Sequence, residues 1–207
     1  MPIETHETKQ RLLAVTADLL WSGSFHSSGV GEICRQAGVK KGSFYHFFPS
    51  KVDLAIESVR AAWREAERTV FDPVFAADHE GLGRVLALVS AVDAQQRAEY
   101  EARGVYLGCP FGGLGQEMAH QDPRLQATVH EIFEEHVQWF RRALQEAVET
   151  GDAEPGDVHQ RARNILALME GGLLVAKVGN DPDLFTAVVG AVPALARADS
   201  GRDDAAD

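Results

Sequence analysis

Only two cysteines, Cys34 and Cys109, occur among the 207 residues. That is too few for a disulfide framework, and their placement is not that of metal ligands, so both read as reduced thiols. Long apolar runs are missing as well. No stretch approaches the ~18–20 residues needed to cross a bilayer, which excludes a membrane span. The opening segment, MPIETHETKQR, is polar and carries acids, the pattern of neither a secretory signal nor a transit peptide. Alternation of apolar and polar residues, the mark of a half-buried strand, is absent too. Hydrophobic content of 45% and charged content of 25% are those of an ordinary globular chain. What remains is an all-α, cytoplasmic protein with no cofactor motif.

Positive charge is scarce and unevenly placed. Lys and Arg number 20 against 31 Asp and Glu, a net charge of −11. Residues 1–60 hold seven of these bases and six acids, leaving thirteen bases against 25 acids in the rest. An acidic body repels nucleic acid, so any phosphate contact is confined to the first quarter of the chain. There the stretch KKGSFYHFFPSK, Lys40 to Lys51, carries three lysines and no acid.

Apolar residues recur at helical spacing. Leu12, Leu13, Thr16, Leu19 and Leu20 mark a first helix ending near Ser22-Gly23. A short second helix starts at Ser28-Gly29, carries Val30, Ile33, Cys34 and Ala37 on one face and stops at Gly38. A short third runs from about Lys40 to Phe47. Ser50 and Asp53 have the spacing of a capping box for a long fourth, whose expected end is Asp72-Pro73. Further helices are expected at roughly 82–96, 110–119, 123–150, 156–178 and 182–195, and the acidic tail SGRDDAAD reads as disordered.

Two short helices joined by a Gly-containing turn, the second basic, form a helix-turn-helix. Phe44 and Phe48, four residues apart, would turn inward and leave Ser43, Tyr45 and His46 outward. A short helix with such groups can enter a major groove while lysines and hydroxyls meet phosphates. The same residues would also suit an ordinary solvated helix start.

From Thr8 to about Arg60 the chain resembles the DNA-binding domain of the TetR family of transcriptional regulators. The likeness runs through RLLAVTADLL, GVGEICRQAGVKKGSFYHFFPSK and VDLAIESV without a gap. It implies that Lys40, Lys41, Ser43, Tyr45 and His46 lie on a recognition helix, and that Ser28 and Lys51 touch phosphate from helix starts. Gly29 and Val30 stand where the family often has hydroxyl residues. The implied architecture is a three-helix helix-turn-helix domain over residues 6–52, a helical effector-binding and dimerisation domain over 53–197, and a tail from 198 to 207. The implied function is a ligand-responsive regulator, in the family's usual mode a repressor. Its partners would be a pseudo-palindromic double-stranded operator, a second copy of the chain and a small effector.

The family implies that the last two helices pair with their copies in a homodimer. Ile165, Met169 and Leu173 on one, and Phe185 and Val189 on the other, make the stripes expected there, although such stripes also serve an internal core. Gly171-Gly172 would allow close approach of backbones. For an apolar effector the candidate lining is aromatic: Trp63, Phe71, Phe75, Tyr106, Phe111, Phe133 and Trp139, with Met118; each is equally readable as core. His130 and Glu134 share a helix face, but a third metal ligand is not evident, so no metal site is expected.

In LGCPFGGLGQEM, Pro110 suits a first helical position and puts Cys109 at the N-cap, where unpaired amides and the helix dipole favour a thiolate. The stretch resembles that of TetR proteins in which a Gly-Cys senses electrophiles or oxidants. A buried cysteine packing Phe111 fits the same residues. An enzyme using Cys109 with His120 is the rival from another class, but no orienting Asn or Asp accompanies the pair.

Overall fold

Helical periodicity governs the described residues. The computed structural model describes residues 2–22 and 25–197, with side chains from His6 onward, so the expected disordered tail lies outside the described residues. Within them are eleven α-helices, one π-helical turn and no strand.

Helix α1, Pro2–Ser22, buries Leu12, Leu13, Thr16, Leu19 and Leu20. Helix α2, Val30–Ala37, buries Ile33, Cys34 and Ala37. It ends because Gly38 adopts φ 64°, a left-handed conformation open to glycine, with the Gly38 and Val39 amides closing on the Arg35 and Cys34 carbonyls. Helix α3, Lys41–Phe47, follows at once. Helix α4, Lys51–Ala66, begins with Ser50 and Asp53 bonded reciprocally: the Ser50 hydroxyl donates to Asp53 Oδ2 at 2.5 Å and accepts from the Asp53 amide at 3.2 Å. That hydroxyl, and then Arg124, hold the Asp53 carboxyl below its ordinary range.

The expected break at Asp72-Pro73 does not occur. A π-helical turn, Glu67–Phe71, follows α4 directly and leads into α5, Asp72–Ala76, where Pro73 occupies the first turn and its missing N–H costs nothing. Helix α6, Gly81–Arg103, is longer than its apolar pattern suggests and stops at Gly104. Then come α7, Pro110–Met118, α8, Pro123–Glu149, and α9, Val158–Gly179. The single helix expected over 182–195 is two, α10, Pro182–Val189, and α11, Val192–Arg197. Pro193 cannot donate to Val189, so the helix restarts there.

The chain divides into two compact units, Met1–Ala66 with Cys109–Ile132, and Glu67–Gly108 with Phe133–Asp207. In the first, α1 packs on α2, α3, α4 and α7 around Leu12, Phe25, Ile33, Phe44, Leu54 and Val59. In the second, α9 pairs along its length with α10, and Val85, Leu88, Phe140, Ile165 and Phe185 are buried. Arg161, 1% exposed, donates to the carbonyls of Ala196 at 3.0 Å and Glu154 at 2.8 Å, so its charge meets the negative end of α11.

Candidate nucleic-acid interface and thiol site

Helix α3 sorts its side chains by face. Phe44 and Phe48 are buried in the first unit, with ring centroids 6.0 Å apart. Tyr45 stands out at 57% exposure, and Lys40, Lys41 and His46 are exposed beside it. Ser43 and Ser28 are half-buried. The stem of Lys41 lies across α2 at Gly31, where an added Cβ would come within 3.2 Å of the lysine Cε. Behind this surface Glu32 is held by Arg35 and Gln36, which pull its carboxyl down to about 2. The one acid of α2 is thus already paired with a cation.

Lys51 departs from expectation. Its Nζ donates to the Phe25 carbonyl and, at 3.1 Å, to that of His26, and it lies 4.2 Å from the Phe25 ring centroid. Burial pushes its pKa down, while Glu117 works against that. The lysine read as a phosphate contact at a helix start ties the turn before α2 to the start of α4. Lys51→Ala therefore lowers the melting temperature through loss of about 1–3 kcal/mol of charged hydrogen bonding. The slope of log K against log salt for DNA binding changes by much less than the ~0.9 of a lost phosphate contact. Thermal denaturation and a salt titration check the two halves of this result.

Helix α7 belongs to the same unit. Cys109 caps its N-terminus: Sγ accepts the Gly112 N–H at 3.3 Å, and the residue is half-buried. Phe111 meets Trp63 edge-on, with centroids 5.9 Å apart. At the other end, Met118 Sδ lies 3.3 Å from His26 Nδ1 in the turn that Lys51 ties down. The helix thus runs from the thiol to the helix-turn-helix. His120 follows the helix's far end, about 14 Å or more along the axis from Cys109 at 1.5 Å per residue, which excludes a nucleophile–base pair.

The aromatic candidates do not form one lining. Trp63, Phe111 and Met118 are core of the first unit. In the second, Trp139 lies 5.6 Å from Phe71 and 4.9 Å from Phe75 between ring centroids, and its indole N–H donates to Glu67 at 3.3 Å. Phe133 joins that group through His136, 6.2 Å away. Tyr106 stands apart from it, 6.5 Å from Tyr100.

The dimer stripe also needs correcting. Ile165, Met169, Leu173, Phe185 and Val189 are between 0% and 7% exposed within one subunit, so they have no surface to offer a second. They hold α9 against α10. At Gly172 an added Cβ would lie 3.1 Å from Phe185 and 3.2 Å from Val188. The exposed apolar face of α9 is the opposite one, with Leu174 at 46%, Val175 at 48% and Val178 at 81%.

A family profile described as bacterial regulatory proteins, tetR family, matches residues 12–57, and one described as tetracyclin repressor-like, C-terminal domain, matches 81–192. The chain belongs to the TetR family. It is 31% identical to transcriptional regulator AcuR of Cereibacter sphaeroides over 84% of this chain and 78% of that one. To the uncharacterized HTH-type regulator YxaF of Bacillus subtilis it is 25% identical over 92% of this chain and 96% of that one. The crystal structure of Escherichia coli NemR in its reduced form aligns with a TM-score of 0.77 at 21% identity, covering 92% of this chain and 98% of that one. Among the described residues of this TetR protein, no group of three or more His, Cys, Asp or Glu is placed to hold a metal, and no helix is long and apolar enough to cross a membrane. The hold of Lys51 on the Phe25–His26 turn was beyond sequence reasoning, because the contact spans 26 residues and depends on how α4 packs.

Proposed function

We propose that the protein is a homodimeric repressor that binds a pseudo-palindromic operator through α2 and α3 and leaves it when a small, largely apolar effector enters the helical body. The observation that carries this reading is the exposed set Lys40, Lys41, Tyr45 and His46 on a helix anchored by buried Phe44 and Phe48. Residues 6–52 then serve as the DNA-binding part and 53–197 as the effector and dimer part, in a protein acting in the cytoplasm. The grouping of Cys109–Ile132 with the helix-turn-helix in one compact unit supports a route for release. A shift of α7 bears on α1 and on the His26 turn. Ser28, Ser43 and the α2 N-terminus are the further phosphate and base contacts in this reading.

The partner copy is best received by the exposed face of α9. Ala167, Gly171, Leu174, Val175 and Val178 recur there at helical spacing, with exposed Ala187 and Ala194 on the next two helices and exposed Ala191 in the turn between them. Selection of random duplex DNA by the purified full-length protein tests the main reading. Enrichment of an inverted repeat with half-sites about one helical turn apart is expected; recovery of no common sequence would sink it.

A second reading rests on Cys109, half-buried with Sγ at a helix N-terminus. The NemR repressor of Escherichia coli, 24% identical over 84% of this chain and 85% of that one, has been crystallised in a reduced form, which points the same way. The thiolate would add to the electron-poor ring of a quinone, forming a thioether and a hydroquinone with no external oxidant. Cys109→Ser should then abolish operator release by benzoquinone and leave operator affinity unchanged. Full release from the serine variant in a mobility shift would rule the thiol out.

A further inference from the structure

Apart from Arg161 Nε, on a guanidinium already held by two carbonyls, two uncharged side chains in the interior of the second unit have a polar atom without a partner. Gln96, on α6 and 5% exposed, donates its Nε2 to the Gly108 carbonyl at 3.4 Å, but its Oε1 accepts nothing. Tyr106, 3% exposed, donates its backbone N–H to Asn180 Oδ1 at 2.8 Å, and its hydroxyl is also without a partner. A buried acceptor or hydroxyl left unpaired costs about 1–3 kcal/mol, so neither serves the resting fold. The two are neighbours in the architecture. Asp93, Gln96, Arg97 and Tyr100 follow one another at three- and four-residue steps along a single face of α6. The Tyr106 hydroxyl lies within the field of Asp93 and Arg97, and burial keeps that phenol protonated well above its usual range. The segment between α6 and α7 that carries Tyr106 is not helical, and it is pinned to its surroundings by the Gln96 and Asn180 bonds.

We propose that Gln96 Oε1 and the Tyr106 hydroxyl are the recognition groups for an uncharged aromatic ligand bearing a hydrogen-bond donor and acceptor side by side, as a carboxamide does. This rests on the effector reading above and names the chemistry of its ligand. Gln96 Oε1 accepts the ligand's N–H and the Tyr106 hydroxyl donates to its carbonyl. The ligand is uncharged because each nearby charge is already paired: Arg97 donates to Asp93 at 3.2 Å and to Asp183 at 2.8 Å. An anion would face Asp93, and a cation would face Arg97. The Tyr100 and Tyr106 rings, 6.5 Å apart, supply aromatic walls. A site holding two unmet polar groups also rejects an isostere that lacks them, because they then stay unpaired.

The experiment uses the full-length protein without DNA and three probes of one shape: benzamide, benzoate and toluene. Calorimetry is expected to show saturable binding of benzamide, at least about tenfold tighter than that of benzoate or toluene. Tyr106→Phe, which removes only the unpartnered hydroxyl, and Gln96→Met should each weaken benzamide about tenfold and leave toluene unchanged. The melting temperature of ligand-free Tyr106→Phe should equal or exceed that of the wild type. A fall of several degrees would mean that a resident water already satisfies the hydroxyl, and would overturn the assignment. So would equal benzamide affinity in wild type and both variants, or no benzamide binding to the wild type. Operator affinity is measured in parallel. A protein that binds benzamide as described but selects no DNA leaves this site standing and removes the regulator reading.

Discussion

Replacing Leu174 and Val178 by glutamate should give a folded monomer that no longer holds its operator. At 46% and 81% exposure these side chains contribute little to the subunit's own core, so the monomer keeps its helical content. In a dimer sealed by this face of α9, two carboxylates on each copy would be buried without a counter-charge, at a cost of several kcal/mol. Sedimentation should show one species at subunit mass. Operator affinity should fall toward the nonspecific level, about 10³-fold or more, because one subunit keeps only half the site. A variant that remains dimeric would place the interface elsewhere. The contrasting substitution is Leu173→Glu. Leu173 is 5% exposed, one residue away on the opposite face, so its charge is buried within the subunit and unfolds it.

That one-residue contrast shows where sequence reading stops. The apolar positions of α9 follow helical spacing on more than one face, with Ile165, Met169 and Leu173 on one and Leu174, Val175 and Val178 on another. Periodicity marks both as apolar but does not say which one meets α10. The decision is made by packing: Gly172 lets Phe185 and Val188 approach, which pulls the first stripe inward. Local signals were far more legible. The Gly38 stop and the Cys109 N-cap arise from residues adjacent in sequence and stand in the structure as the residues implied. The Pro73 and Pro193 positions misled because a proline is tolerated in a helix's first turn, and only the folded chain shows where a turn begins again. The role of Lys51 was hidden for another reason. A lysine that bonds two carbonyls and a lysine that meets phosphate have the same sequence signature.

The strongest test of the interface itself is alanine at Lys41, Tyr45 and His46 together. All three side chains are exposed, and Tyr45 is 57% so, hence the melting temperature should stay within a degree or two of the wild type. Each good base contact is worth about 1–3 kcal/mol, so the triple variant should lose specific operator binding down to its nonspecific level. Lys40→Ala, by contrast, should weaken all duplexes alike and lower the salt slope by about 0.9 if it contacts phosphate. Gly31→Ala separates position from chemistry. The new methyl group would sit 3.2 Å from Lys41 Cε, at the flexible end of that side chain, so it displaces the lysine without disturbing the core. Operator affinity should then drop several-fold while Lys41 is still present, and a second Lys41→Ala substitution should add little to the loss. Fully additive losses would show that Lys41 acts independently of where Gly31 places it. An unchanged operator affinity in the triple variant would move recognition away from α3 altogether.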